Sequence, residues 1–469
     1  MLYMGKDMGY IEKLPTREID GIRYDFNMGL RLWFPTGVYG VEVYNNLTGD
    51  LYAQEVISAQ SSADDIFSPE KAPAQRDDVQ YSFPYKYYIP YRVRIHNRAN
   101  NRITNITLSL ENERVGFKMP QNTLGDPLYM LAGVFEFVEK HRCLPVIYCS
   151  KMIKEVVQPA YPHFEFRDVQ DETPPDLYAT YYTMFFFTYD RMWQPYDFRT
   201  YSMTQQSQHI LGLPSWKTPA PPKVVGQGHK PLGENPGKCV AISYTGSKQC
   251  KFWNNPRGWY DVITWLHGEG YRVICIDKDP MCGQAPYINH MPWGVEDFTG
   301  ALPLSHRVDI LRQCEFFIGT PSGLAALAWC VGLPVVMISG FSLPLAEFEN
   351  YRVINPVAEC IGCWNDTRIG FAHHDYGWCP RITPIVDDAQ RELTEARQAY
   401  ASALPANKTA SKNRVTEAEI ALQKALNHMF VCTKKISANM VIEKAKEAIS
   451  DIRKKSSRDS LTLPFKETY

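Results

Sequence analysis

The chain has 469 residues, too many for one ordinary hydrophobic core, so two or three domains are expected. Its 50 basic residues stand against 51 acidic ones, which excludes wholesale binding to a phosphate backbone as the main task and leaves only a local basic channel open to nucleic acid. Neither a stretch of signal-peptide character nor an apolar run of bilayer-spanning length is present, so a cytoplasmic protein with reduced thiols and no membrane span is expected.

Residues 1–105 read as a small antiparallel β-domain. Gly37-Val-Tyr-Gly-Val-Glu-Val-Tyr and Tyr91-Arg-Val-Arg-Ile alternate in the period of a half-buried strand, and a polar patch from Ala59 to Asp78 reads as a long loop. Residues 106–213 change character. Val115-Gly-Phe-Lys-Met is strand-like, Asn122-Thr-Leu-Gly-Asp is a turn, Leu128 to Lys140 carries apolar residues at helical spacing, and Leu144-Pro-Val-Ile-Tyr-Cys is the next strand. Strand, helix, strand begins a parallel α/β unit.

Residues 214–238 hold six prolines and no apolar period, and read as an interdomain linker. The α/β rhythm then restarts over 239–385. Strands are expected at Cys239-Val-Ala-Ile-Ser-Tyr, Tyr271-Arg-Val-Ile-Cys-Ile-Asp, Phe316-Phe-Ile-Gly and Val335-Val-Met-Ile-Ser, and helices at Trp259 to His267, Ser305 to Cys314 and Leu324 to Cys330. Two Rossmann-like halves joined by a hinge describe a bilobal α/β enzyme. Residues 386–430 are rich in Ala, Glu, Lys, Arg and Gln, with apolar positions at Leu393, Ala396, Tyr400, Val415, Ile420 and Leu422 on either side of Leu404-Pro-Ala-Asn. They read as an inserted hairpin of two charged helices, either a solvated arm or an assembly contact. Residues 431–469 close the chain, with an amphipathic helix from Ser437 to Ile449.

Four cysteines punctuate the C-terminal part: Cys360 and Cys363 in Cys-Ile-Gly-Cys-Trp-Asn-Asp, Cys379 in Trp-Cys-Pro-Arg, and Cys432 in Phe-Val-Cys-Thr-Lys. The close pair supplies two soft ligands from one turn, and the later two reach the same point if the chain folds back, which describes a four-thiolate metal site. Buried apolar thiols are the alternative. By ligand type alone such a site is most often zinc.

Ile318-Gly-Thr-Pro-Ser-Gly-Leu leads from a strand into a helix. The amides after Ser322, at Gly323 and Leu324, with Thr320 before them, offer either an anion site suited to a diphosphate or a plain turn. Tyr244-Thr-Gly-Ser-Lys-Gln-Cys-Lys puts Thr245, Ser247 and Lys251 at the same rim, where a lysine neutralises a leaving diphosphate without a catalytic divalent metal. Asp277 stands where a carboxylate accepts ribose hydroxyls or, equally, caps a strand end. Asp126 stands at a strand-to-helix junction as a general base for an acceptor hydroxyl or as a helix N-cap.

In the same order along the chain run Thr123-Leu-Gly-Asp126, Tyr178-Ala-Thr-Tyr-Tyr, Gln194-Pro-Tyr-Asp-Phe-Arg199, Lys251-Phe-Trp-Asn-Asn, Ser322-Gly-Leu, Ile338-Ser-Gly-Phe, Glu347-Phe and the Cys360 frame. From about Tyr24 to Ile449 this resembles the bacterial autotransporter heptosyltransferases, relatives of the lipopolysaccharide heptosyltransferases with the two-lobed GT-B glycosyltransferase fold. The resemblance implies inverting transfer of heptose from an ADP-heptose donor to serine hydroxyls of a protein acceptor. It further implies Asp126 as base, Lys251 as donor-phosphate lysine, Ser322 and Gly323 as diphosphate turn, a structural ferric iron on the four cysteines, and a large homo-oligomeric ring. Two departures stand out. Pro127-Leu-Tyr-Met follows the aspartate in place of small polar residues and a tryptophan, and the 387–428 hairpin looks like an addition. The same fold using another nucleotide sugar on a modified nucleobase or a glycan, and a non-catalytic assembly protein, are the competing readings.

Overall fold

The computed structural model describes residues 16–59, 79–186, 189–354, 360–372 and 374–461. The expected loop at 60–78 and the N-terminal residues lie outside them. Two compact units divide the chain, one formed by residues 1–198 and 203–222, the other by 199–202 and 223–469. The chain therefore passes between units three times, at 198/199, 202/203 and 222/223, where one proline-rich linker was expected.

The first unit contains β1 (Arg17–Ile19), β2 (Ile22–Asn27), β3 (Arg31–Phe34), β4 (Gly37–Asn45), β5 (Leu51–Ala59), β6 (Val79–Ser82), β7 (Tyr91–Asn97), β8 (Ile103–Thr107) and β9 (Arg114–Lys118). After them come α1 (Gly125–His141), β10 (Leu144–Cys149), α2 (Lys151–Val157), β11 (Glu165–Asp168), β12 (Ala179–Tyr182) and α3 (Gln205–Ile210). One sheet runs β11-β10-β9-β12-β2-β3-β6, parallel as far as β2 and antiparallel beyond it, with β1 paired to β2. A second, antiparallel sheet runs β5-β4-β7-β8. Its alternating inner positions Tyr39, Val41, Val43, Tyr91, Val93 and Ile95 are buried, with Tyr91 stacked on Phe26 of β2 at 5.6 Å and Tyr39 tilted against Phe34 of β3 at 4.8 Å.

The boundary expected at residue 105 thus does not fall between two structures. Strands β2, β3 and β6 continue the parallel sheet, because β2 carries a buried polar set that bonds sideways rather than facing water. Arg31 grips both oxygens of Asp25, at 2.7 and 2.5 Å, while the Asn27 amide donates to Asp25 at 2.9 Å and accepts from Thr180 of β12 at 2.6 Å. Thr180 belongs to the Tyr178-Ala-Thr-Tyr-Tyr stretch, which is core here.

The second unit contains β13 (Cys239–Ser243), α4 (Gly258–Gly268), β14 (Arg272–Cys275), β15 (Met281–Gln284), β16 (Tyr287–His290), β17 (Glu296–Asp297), α5 (Leu304–Arg312), β18 (Phe316–Gly319), α6 (Gly323–Val331), β19 (Val335–Ile338) and β20 (Tyr351–Val353). It ends in α7 (Thr383–Ser402), α8 (Lys408–His428), α9 (Val431–Lys434) and α10 (Ala438–Leu461). Its six-stranded sheet is wholly parallel in the order β17-β14-β13-β18-β19-β20. Numbered within the unit, that is 3-2-1-4-5-6, the doubly wound order with its switch point between β13 and β18. Strands buried on both faces read as continuous apolar runs, which is why Cys-Val-Ala-Ile-Ser and Phe-Phe-Ile-Gly were legible.

Helix α4 and helix α10 cover one face, α10 through Val441, Ala445, Ala448 and Ile449 at helical spacing. Helix α10 runs past Ile449 to Leu461. Residues 223–238 do not hang free, since the amides of Gln227, Gly228 and His229 all donate to the Asp309 carboxylate of α5. In the hairpin α7–α8, Leu393, Ala396 and Ala418 are buried, with Val415 and Leu422 packed on them. Ile420, expected on that seam, is 64 % exposed, because the packed positions 415, 418 and 422 step around the helix and leave it on the far side.

Candidate functional site

Ligands of doubly wound sheets bind beyond the carboxyl ends of the strands at the switch point. At that edge of the second unit, β13 ends in Ser243-Tyr244-Thr245 and β18 in Gly319-Thr320. Thr320, fully buried, donates its hydroxyl to the Thr245 carbonyl at 2.8 Å and ties the two strand ends together. Helix α6 starts immediately afterwards. Ser322 is its N-cap, extended at φ −140° and accepting the Ala325 amide at 3.4 Å, which leaves the first-turn amides of Gly323 and Leu324 without an intrahelical partner.

Asp277 turns inward. Its carboxylate is fully buried, accepts the hydroxyls of Ser243 at 2.7 Å and of Thr245, and takes the Tyr244 amide at 2.9 Å. Of its two readings the structure selects the strand-end cap, and the same bonds commit the Thr245 hydroxyl to the fold. Burial pushes the Asp277 carboxyl up and the three donors pull it back. The Asp277 carbonyl in turn receives the Arg307 guanidinium, which also serves the carbonyls of Ile276, Gly300 and Leu302.

The segment after β13 carries two lysines of opposite fate. The Lys248 ammonium is buried and donates to the carbonyls of Ala372 and Asp375, both at 2.6 Å. Desolvation holds its pKa down. The Lys251 ammonium lies over the Phe341 ring at 5.4 Å, beyond the end of β19, and has no carboxylate partner among the described residues. Ser247, just before Lys248, is exposed.

Asp126, in the first unit, sits half-buried in the first turn of α1, where the N-cap position belongs to Leu124. The N-cap reading therefore falls away, and the helix terminus favours a carboxylate at this place.

The four cysteines lie in one neighbourhood of the second unit, Cys360, Cys379 and Cys432 buried and Cys363 partly so. The neighbouring Cys363 thiol, with the Arg381 guanidinium, holds the Cys360 thiol below its ordinary value. Burial raises Cys379 and Cys432, each of which also feels Cys360. Two glycines let the backbones close in. Gly362, at φ +69°, makes the turn between the first two cysteines, and a Cβ on Gly340 would stand 2.5 Å from the Cys432 carbonyl oxygen. Among the described residues no three His, Cys, Asp or Glu side chains already stand as a ligating group. In donor chemistry the all-sulfur set fits a thiophilic metal. None of the twelve cysteines forms a disulfide.

Residues without an assigned role on sequence grounds also gather here. Glu347 and Arg352 form a buried ion pair at 2.7 Å, with Ser342 donating to Glu347 at 2.6 Å. Arg199 gives its guanidinium to the carbonyls of Asp366, Thr367 and Ile369, and Asn365 returns a bond to the Arg199 carbonyl. Glu347 and Arg199 both stood in quoted stretches, but a buried pair and a loop clamp have no spacing signature. Among the described residues no helix is long and apolar enough to cross a membrane.

No family profile matches the chain. It is 35 % identical over 371 residues to the autotransporter heptosyltransferase Aah of Escherichia coli, covering 78 % of this chain and 88 % of that one. To the autotransporter heptosyltransferase TibC of Escherichia coli O78:H11 it is 36 % identical over 369 residues, covering 77 % and 84 %. The crystal structure of TibC, a dodecameric iron-containing heptosyltransferase in complex with ADP-D-beta-D-heptose, superposes with a TM-score of 0.75 at 30 % identity over 95 % of this chain and 100 % of that one. An α/β fold with a doubly wound unit, taken with these likenesses, defines the protein as a glycosyltransferase. More particularly, the chain belongs to the autotransporter heptosyltransferase family.

Proposed function

We propose that this protein transfers heptose from ADP-heptose to serine hydroxyls of an autotransporter protein, in a single inverting displacement carried out by a cytoplasmic homo-oligomer of the GT-B class. Asp126 takes the proton of the acceptor hydroxyl, the oxygen attacks the anomeric carbon, and the ADP diphosphate departs toward Lys251 and the Thr320-Pro-Ser322-Gly323-Leu324 helix start. Cys360, Cys363, Cys379 and Cys432 hold an iron that cross-links the finger and takes no part in the displacement. The likeness to TibC, whose crystal structure carries ADP-D-beta-D-heptose and is described as iron-containing and dodecameric, supports donor, metal and assembly.

The observation that carries the reading is the carboxyl edge of the six-stranded sheet, where the Gly323 and Leu324 amides at the start of α6 and the Lys251 ammonium, without a carboxylate partner among the described residues, belong to one unit. Fixed donors of this kind stabilise the charge that develops on a leaving diphosphate without a divalent cation. Lys251→Ala is expected to weaken ADP binding, read by calorimetry. Asp126→Asn is expected to lower transfer by about a hundredfold to ten-thousandfold with ADP affinity intact, read by mass spectrometry of the acceptor. Wild-type transfer by Asp126→Asn, or wild-type ADP affinity in Lys251→Ala, would remove the corresponding role.

A further inference from the structure

Apart from a reciprocal pair of side-chain bonds between Gln249 and Asn289 of β16, at 3.2 and 2.8 Å, the stretch that carries Lys251 is held by the segments that carry the third and fourth cysteines. On one side, Gln249 donates its amide to the Tyr376 carbonyl at 3.0 Å, and Lys248 reaches the carbonyls of Ala372 and Asp375, all within seven residues before Cys379. On the other, Asn254 donates its side-chain amide to the Thr433 hydroxyl at 2.8 Å, Trp253 donates its indole N–H to the Ile436 carbonyl at 2.9 Å, and Asn255 donates to the Lys434 and Ile436 carbonyls. Thr433 directly follows Cys432.

The stretch is also closed on itself. Asn254 donates to the carbonyls of Gln249 at 3.1 Å and Phe252 at 2.8 Å, and Gln249 donates to the Asn254 side chain at 2.7 Å. Thr433 is fully buried and donates its own hydroxyl to the Phe430 carbonyl. Lys251 therefore sits on a small ring of peptide whose outward bonds, the Gln249–Asn289 pair aside, end on the two chain segments that a metal on the cysteines would pin together. Among the described residues Lys251 itself makes no ion pair that would fix it by other means.

We infer that Thr433 and Asn254 are positioning residues that make the affinity for the donor diphosphate depend on the cysteine centre. In this arrangement the centre sets where the 249–254 ring stands, and the ring sets where the Lys251 ammonium stands. The inference rests on the reading of Lys251 as the diphosphate lysine, and it goes further by assigning the finger a role in donor recognition besides holding the C-terminal region together.

The test uses the full-length metal-loaded protein and ADP as probe. Thr433→Val keeps the volume and removes the acceptor for Asn254, Thr433→Ser keeps the acceptor, and Lys251→Ala runs beside them. For each, the ADP dissociation constant, the metal content by elemental analysis and the melting temperature are measured. The expected result for Thr433→Val is ADP binding weakened by about three- to tenfold, the size of one lost hydrogen bond, with full metal content and a melting temperature close to that of Thr433→Ser, which binds ADP as the parent does. Wild-type ADP affinity in Thr433→Val, when Lys251→Ala has lost affinity, overturns the inference. Loss of metal from Thr433→Val also overturns it, because the bond would then serve the centre rather than the ring. Wild-type affinity in Lys251→Ala overturns instead the role of Lys251 on which both readings stand.

Discussion

Asp277 and Asp126 show what a single residue's place in the sequence conveys. Both were recognised as carboxylates at strand or helix ends, and each had two readings, because spacing fixes which element a residue stands on and leaves open where its oxygens point. Hydrogen bonds decide the first case, with Asp277 spending its oxygens on Ser243, Thr245 and Tyr244, and cap geometry removes only the N-cap reading of the second. His141, by contrast, had no signal at all. It ends α1 packed on Phe137 at 4.3 Å and near Tyr88 at 5.1 Å, with its Nε2 buried and unpartnered, and burial lowers its pKa from 6.5 to about 4. A base whose folded pKa lies below its unfolded value binds more protons when unfolded. Between about pH 6.5 and 4 the neutral buried ring therefore costs stability as pH falls, and above pH 6.5 the effect vanishes. His141→Phe is expected to flatten the decline of melting temperature between pH 7 and pH 5; an unchanged slope would show that the ring does not titrate with unfolding.

At the scale of elements, the strands of the six-stranded sheet and the helices between them were legible because burial on two faces writes an unbroken apolar run and burial on one face writes a 3.6-residue period. Elements stabilised by polar bonds were not. β2 reads as part of a separate β-domain from the short alternating stretches around it, and nothing in that pattern shows that Arg31 and Thr180 bond its buried Asp25 and Asn27. The β19–β20 connection is the corresponding case in the second unit, where Glu347, with its side chain 1 % exposed, is held by Arg352 and Ser342. Removing one charge leaves the other buried and uncompensated, so Glu347→Gln is expected to lower the stability of this unit by about 3–5 kcal/mol in denaturant titrations. A loss below about 1 kcal/mol would mean that water reaches Arg352 and that the pair is a surface one in effect.

For the whole molecule, the cysteine frame was the plainest signal in the sequence, and the structure brings its four thiols into one neighbourhood without three of them standing as a ligating group among the described residues, whereas the chain path was invisible, since proline content marks an irregular segment without saying what it packs on. Thiolate metal sites release folding free energy on binding, so Cys363→Ser is expected to lose its metal by elemental analysis and to yield aggregated protein. A soluble, active Cys363→Ser protein would reduce the centre to an ornament. The threefold passage of the chain between units bears on how such enzymes diversify. The second unit cut out at the proline-rich stretch leaves behind the short strap 199–202, and with it the guanidinium that gathers three carbonyls of the loop after Asn365. Hybrids that swap halves between relatives at that joint would inherit a mismatched clasp, whereas grafts that carry the strap along with the half it serves keep the clasp intact.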